Sequence, residues 1–239
     1  MTSSEGMLGF LFILFLEGLM KKAIVFVDAN NWYHNVKNLF DPGKIDIVKV
    51  ANLLCAAKNY ELVQIRWYAS IPSIDDDEAV YYRHISFLEH LEKKGVKIIT
   101  RKLQRLSNKE TIEKKKHIID NLDLCNHCRP IVESVFLDIT DIKKKEKGID
   151  VWAAIDIIKD SLMDNRCDVC ILISGDADFI PSLELVRNRK KEILTAMVPF
   201  GYSAELRSKF PFFILRRETL VKCFRDYKDV KEDKKGTVH

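Results

Sequence analysis

Residues 168–178 read DVCILISGDAD, and residues 23–31 read AIVFVDANN. Both are short, unbroken apolar runs, rich in β-branched side chains, that stop abruptly at acid. A strand wetted on one face alternates apolar and polar residues, whereas a strand covered on both faces does not. Two such runs therefore predict buried strands of a parallel sheet. Ending them in Asp28, and in Asp176 and Asp178, costs desolvation and mutual repulsion. A cation removes that cost. Carboxylates from separate strands meeting on one rim point to a divalent metal, and hard oxygen ligands without a neighbouring histidine favour Mg²⁺ or Mn²⁺ over zinc.

Outward from these two runs, strand and helix patterns alternate. A short helix is expected through Trp32 to Leu39, then a turn at Asp41-Pro42-Gly43. Asp46 has the position of an N-cap for a helix running to about Lys58. Leu62 to Ala69 reads as a second strand. Asp75 to Lys94 has helical periodicity, with Val80, Phe87, Leu88 and Leu91 on one side, and stops at Gly95. Val96 to Thr100 is a third strand. Residues 101–131 break the pattern with a lysine-rich, weakly periodic insertion, and Val132 to Leu137 could be a short strand leaving it. Gly148 to Met163 reads as a helix, with Val151, Ala154, Ile155 and Ile158 at helical spacing. After the 168–173 strand a helix runs to about Arg189. Lys191 to Val198 is a strand, Ser203 to Lys209 a short helix, and Phe212 to Leu215 an edge strand. This order predicts an α/β fold, a doubly wound, mostly parallel sheet with helices on both faces. In such sheets the site lies outside the carboxyl ends of the strands.

Two further acids bear on that rim. Asp150 stands at the start of a helix, where negative charge is favoured in any case. Asp156 lies two turns on, and could face the sheet site or serve the packing. Asp28 and Asp178 could each simply cap the helix that follows. Asp176 is harder to explain that way, because Ser-Gly-Asp-x-Asp puts two acids around one tight turn. Asn30 and Asn31 could form the turn or supply polar site atoms. Ser174 could be small for packing or hold a carboxylate.

The segments IVFVDANNWYHNV (24–36), EKGIDVWAAIDII (146–158) and CDVCILISGDADFIPSLELV (167–186) occur in the order found in the NYN domain family, and the chain resembles that family, the LabA-like branch of the PIN-like nuclease fold, from about Lys21 to Glu218. Ala29 stands where the family most often has glycine. The resemblance implies metal-binding acids at Asp28, Asp150, Asp176 and Asp178, with Asn31 and Ser174, and beside them Asn30 and Asp156, as supporting residues. It implies a metal-dependent ribonuclease using Mg²⁺ or Mn²⁺ on RNA, single-stranded by expectation. The alternative is a non-catalytic RNA-binding regulatory protein on the same fold. A TOPRIM nuclease would want glutamate at Asp28, and a haloacid-dehalogenase-type phosphatase would want aspartate at Asn30.

Basic residues flank these segments. Lys144, Lys145, Lys147 and Arg101 would bind phosphates if they reach the rim, and Trp32 could stack on a base. Cys125 and Cys128 form half of a zinc site and would need a further ligand such as His117, or a second subunit. The chain has 239 residues, 47% hydrophobic and 31% charged, with a net charge of +4. That suits one α/β domain and permits nucleic-acid binding without demanding it. Six cysteines do not make a disulfide scaffold at this length, which favours a reducing, cytoplasmic setting. The apolar run Phe10 to Leu19 is too short to span a bilayer and is broken by Glu17, so no membrane is expected, a signal anchor being the alternative reading. Residues 1–19 read as a non-native or disordered extension before a start at Met20, residues 20–227 as the domain, and 228–239 as a charged tail. A homodimer is a compatible assembly.

Overall fold

The computed structural model describes residues 20–74, 77–102, 104–105, 116–138, 144–145 and 148–226. Strand β1 (Lys21–Asp28) leads directly into helix α1 (Ala29–Val36). Helix α2 (Ile47–Ala56) follows, its N-cap Asp46 accepting from the Val48 amide at 2.9 Å. Strand β2 (Tyr60–Ile71), helix α3 (Glu78–Lys93) and strand β3 (Lys97–Lys102) complete the first half. The expected α3 start at Asp75 lies outside the described residues; the described cap is Asp77, which accepts from the Val80 amide.

Residues 102–147 form a separate compact unit. Within it β4 (Gln104–Arg105) pairs antiparallel with β5 (Lys144–Lys145). Between them lie a helical run at 116–120 and helix α4 (Cys128–Asp138). The strand expected from Val132 to Leu137 is thus corrected to helix. Ile131 with Val135, and Val132 with Phe136, are spaced four apart, which is helical spacing rather than alternation. Pro130 sits in the first turn, where an α-helix has no amide hydrogen bond to lose.

The chain returns with helix α5 (Ile149–Ile158), which continues into a π-helical turn at Lys159–Met163. Strand β6 (Val169–Ile173) then leads through a 3₁₀ turn at Ala177–Phe179 into α6 (Ile180–Asn188). Strand β7 (Glu192–Met197), helix α7 (Ala204–Lys209), strand β8 (Phe212–Ile214) and helix α8 (Arg217–Val221) close the unit.

The six-stranded sheet has the order β3-β2-β1-β6-β7-β8, and β1 pairs in parallel with both β2 and β6. Pairs β6–β7 and β7–β8 are parallel as well. The first half of the chain winds outward from β1 in one direction and the second half from β6 in the other. The crevice therefore opens between β1 and β6, at the switch point of the topology. Register sets Val27 opposite Ile173, so Asp28 and Ser174 emerge side by side.

Alternation along the central strands separates two cores. Ala23, Val25, Val27, Ile171 and Ile173 pack with residues of α1, α2 and α3 on one face. Ile24, Phe26, Cys170 and Leu172 pack with residues of α5, α6 and α7 on the other. Helix α5 buries Ile149, Ala153 and Ile157, whereas Val151 and Ile155 are 61% and 52% exposed. Its apolar residues run almost all the way round, so periodicity alone picks no face. Among the described residues no helix is long and apolar enough to cross a membrane.

Candidate metal and nucleic-acid site

Asp28 ends β1 and is buried. Its Oδ1 accepts from the Asn31 amide at 3.1 Å, which caps α1. Its Oδ2 accepts from the Ser174 hydroxyl at 2.9 Å. Ser174 Oγ in turn accepts from the Asp176 amide at 3.1 Å, and Asp176 Oδ1 accepts from the Asp178 amide at 2.9 Å. One chain of hydrogen bonds thus runs from the end of β1 through the turn after β6. Asn31 makes the second link across the crevice: its Oδ1 accepts from the Gly175 amide at 2.9 Å and from Asn35 Nδ2 at 3.0 Å. Asp28 thus caps α1 with one oxygen and reaches across the crevice to Ser174 with the other.

Gly175 is required by close approach. A Cβ there would lie 2.6 Å from the Gly201 carbonyl oxygen and 2.7 Å from Tyr202 Cα. The Ser203 amide donates to the Gly175 carbonyl at 2.8 Å, so the acidic turn is clamped between α1 and the loop after β7.

Asp150 enters from α5, in the first turn of a helix whose N-cap is Gly148 at φ 81°. A Cβ on Gly148 would meet the Arg101 guanidinium at 2.5 Å. Arg101 also lies over the Trp152 ring, 5.9 Å from its centroid, which holds its positive charge beside the start of α5. Burial pushes the Asp150 carboxyl up to about 6, and the carboxylates of Asp28, Asp176 and Asp178 push it the same way. Acids from two other chain segments thus act on Asp150, the farthest of them, Asp28, 122 residues away in sequence.

The remaining expected residues divide. Asn31 and Ser174 organise the acids as described. Asn30 is exposed on α1. Asp156 turns toward β2 instead: its Oδ2 accepts from the Tyr68 hydroxyl at 2.9 Å and pairs with Arg66 at 2.9 Å. Arg66, 3% exposed, also pairs with the buried Asp160 at 2.6 Å. Asp156 thus belongs to an ion network tying β2 to α5, a partnership with no local signal because Arg66 sits among apolar strand residues. The Trp32 ring is 5% exposed and packed in the core, so it offers no face to a base; Tyr33, its neighbour, is exposed. Lys147 lies outside the described residues, and only the backbones of Lys144 and Lys145 are described. In the smaller unit, Cys125 and Cys128 are exposed thiols, with the Cys128 amide donating to Cys125 Sγ at 3.4 Å. Among the described residues no third His, Cys, Asp or Glu completes a metal site with them.

The donor set at the crevice fits a hard divalent cation in chemistry: carboxylates only, with repulsion that a cation would relieve. Among the described residues, however, no three acids close on a single point at binding distance. Holding an ion would require side-chain rotation, and Asp178, within the 3₁₀ turn, is exposed. Asn35 and Tyr202, which brace this turn, were not foreseen. Asn35 is one helical turn beyond Asn31 and could have been read from that spacing; Tyr202 carries no such signal.

The family model of the NYN domain matches residues 22–215. No curated protein matches the chain. The chain is similar in structure to a protein of unknown function from Vibrio parahaemolyticus, with a TM-score of 0.50 at 18% identity, over 82% of this chain and 93% of that one. At that identity the likeness concerns the fold alone.

Proposed function

This chain belongs to the NYN domain family, and from that premise we propose that it is a metal-dependent ribonuclease. The observation that carries the reading is the hydrogen-bonded chain Asp28–Ser174–Asp176–Asp178 at the β1–β6 switch point, beside which burial, and then the charges of Asp28, Asp176 and Asp178, raise the Asp150 carboxyl. A binding protein gains nothing from four acids where phosphates dock, whereas a hydrolase needs them to hold its ion.

These four carboxylates would hold Mg²⁺ or Mn²⁺. When bound, the ion supplies an activated water and neutralises charge growing on the phosphate. The chain's own residues do the positioning. Ser174 and the Asn31 amide fix the two oxygens of Asp28. Asn31 and the Gly201–Tyr202 backbone hold the acidic turn against α1. Such preorganisation matters because a misplaced ligand weakens every interaction made in the transition state. Arg101, whose guanidinium donates to the Gly148 carbonyl at the start of α5, would meet a phosphate. The substrate we assign is single-stranded RNA. The six free thiols suit a reducing compartment, and we place the protein in the cytoplasm.

The test is cleavage of labelled single-stranded RNA with Mn²⁺ or Mg²⁺, comparing the protein with Asp176→Asn. Metal-dependent cleavage that disappears in the variant supports the proposal. RNA binding without cleavage by either protein would move the reading to a regulatory module; equal cleavage by both would point to a contaminant.

A further inference from the structure

The acids themselves repel a polyanion, and the basic residues foreseen near them are mostly in the smaller unit. A different cationic surface lies on the main unit. Between the end of β7 and the start of α8 runs an open groove of about 500 Å³, lined by Arg207, Arg216, Arg217, Tyr202 and Phe212, with Glu218 as its lining acid. A smaller hollow of about 280 Å³ continues it past Tyr202 and Arg207. Arg207 divides the two. Its guanidinium lies 4.9 Å from the Phe212 ring centroid and 5.6 Å from that of Tyr202, and it donates to the Tyr202 hydroxyl at 3.0 Å. Arg217 lies over Phe40 at 4.6 Å and donates to the Leu39 carbonyl at 3.2 Å. Both cations are thus held in place by ring faces and a fixed acceptor. Phe212, on the edge strand of the sheet, is 41% exposed.

We propose that this groove binds the single-stranded RNA flanking the scissile phosphate, with Arg207, Arg216 and Arg217 on successive phosphates and a base stacked on Phe212. The identity of the strand rests on the nuclease reading above. Three observations favour RNA. Fixed guanidinium groups recognise phosphate by geometry as well as charge. Exposed rings interleaved with arginines form a sequence-tolerant stacking platform. The groove and the acidic turn also share a residue, because Tyr202, which forms part of the groove wall, packs its backbone on Gly175 between Ser174 and Asp176.

The experiment measures fluorescence anisotropy of a labelled uridine-rich RNA of about twelve nucleotides, in EDTA, so that binding is read without cleavage. The Arg207→Ala/Arg216→Ala/Arg217→Ala triple variant is expected to bind at least roughly tenfold more weakly. Its salt dependence should flatten by about 2 in the slope of log K against log salt, near 0.7 for each lost phosphate contact on a single strand. Phe212→Ala should weaken binding about fivefold or more while leaving that slope unchanged. Lys21→Ala/Lys22→Ala/Lys58→Ala, which removes the same charge elsewhere, should bind as the parent does. Photocrosslinking of 4-thiouridine RNA to the unmodified protein, independent of any variant, should mark the 199–218 segment.

Parent-like binding by the triple variant, equal loss in the lysine control, or crosslinks confined to other segments would overturn the groove proposal while leaving metal-dependent cleavage standing. An acidic peptide of matched charge that competes as well as RNA would overturn it too. Groove-dependent binding without any cleavage would instead remove the nuclease reading and keep the groove. A parent protein that neither binds nor cuts RNA would remove both.

Discussion

Asp150→Asn should make the protein more stable while removing its activity, and the gain should depend on pH in a set direction. The folded-state carboxyl of Asp150 rises from an ordinary 3.8 to about 6. Below pH 3.8 the group is neutral folded or unfolded and has no effect. Between 3.8 and 6 the unfolded chain releases its proton while the folded chain keeps it, so stability falls as pH rises. Above 6 the full penalty is present. The gap between the two values corresponds to a ceiling of about 3 kcal/mol. The carboxyl is only half-buried, and solvent screening reduces this to ~1–2 kcal/mol. Loss of the favourable charge at the start of α5 takes back about 0.5 kcal/mol. In EDTA at pH 7.5 the variant should therefore unfold about 1–6 °C higher than the parent. The advantage should shrink toward zero near pH 4. Thermal unfolding followed by circular dichroism from pH 4 to 8 reads both. Added Mn²⁺ should stabilise the parent and not the variant. A variant no more stable than the parent at pH 7.5, or a gain that is the same at every pH, would refute the claim that burial and the neighbouring acids destabilise the Asp150 carboxylate.

Other perturbations test the scaffold. Ser174→Ala removes the hydroxyl donor to buried Asp28, which should cost ~1–3 kcal/mol in urea denaturation and weaken Mn²⁺ binding measured by calorimetry. Gly175→Ala drives a Cβ into the Gly201–Tyr202 backbone; a loss of ~1–3 kcal/mol is expected, together with loss of cleavage. Arg66→Met removes the 2.6 Å partner of buried Asp160 and leaves it the longer 3.6 Å pair with Arg166, so the unfolding free energy should drop by up to ~3–5 kcal/mol; a smaller loss at pH 4 than at pH 7 would identify the weakly compensated carboxylate as the cause. Metal affinity should decline as pH falls through about 6, because Asp150 must lose its proton to bind an ion, and calorimetric titration at pH 5 and pH 7.5 measures that decline.

The sheet was legible because its physics is local. AIVFV and VCILI can be little but buried strands, and β-branched runs separated by helical spacings leave a doubly wound sheet as the simple arrangement. The cap at Asp46 was legible for the same reason: it bonds an amide two residues away, an interaction written into adjacent positions. The 132–137 segment misled because a short apolar run fits strand and helix alike, and the deciding feature was Pro130 just before it. Helix α5 misled about its face because apolar residues surround it and only contact with the sheet selects one side.

The sequence by itself determined that acids would stand at the carboxyl ends of two buried strands, since strand length and the sudden change to aspartate are properties of the chain. Only the tertiary structure decided which acids meet. Register placed Val27 opposite Ile173, and with it Asp28 beside Ser174. Packing carried Asp150 into the same field and turned Asp156 away to Arg66. It also buried Trp32 and assembled three arginines and two rings, spread over residues 202–217, into a single groove. A carboxylate's partner or a ring's exposure is set by elements far away in sequence, and no local pattern encodes a contact made across the fold.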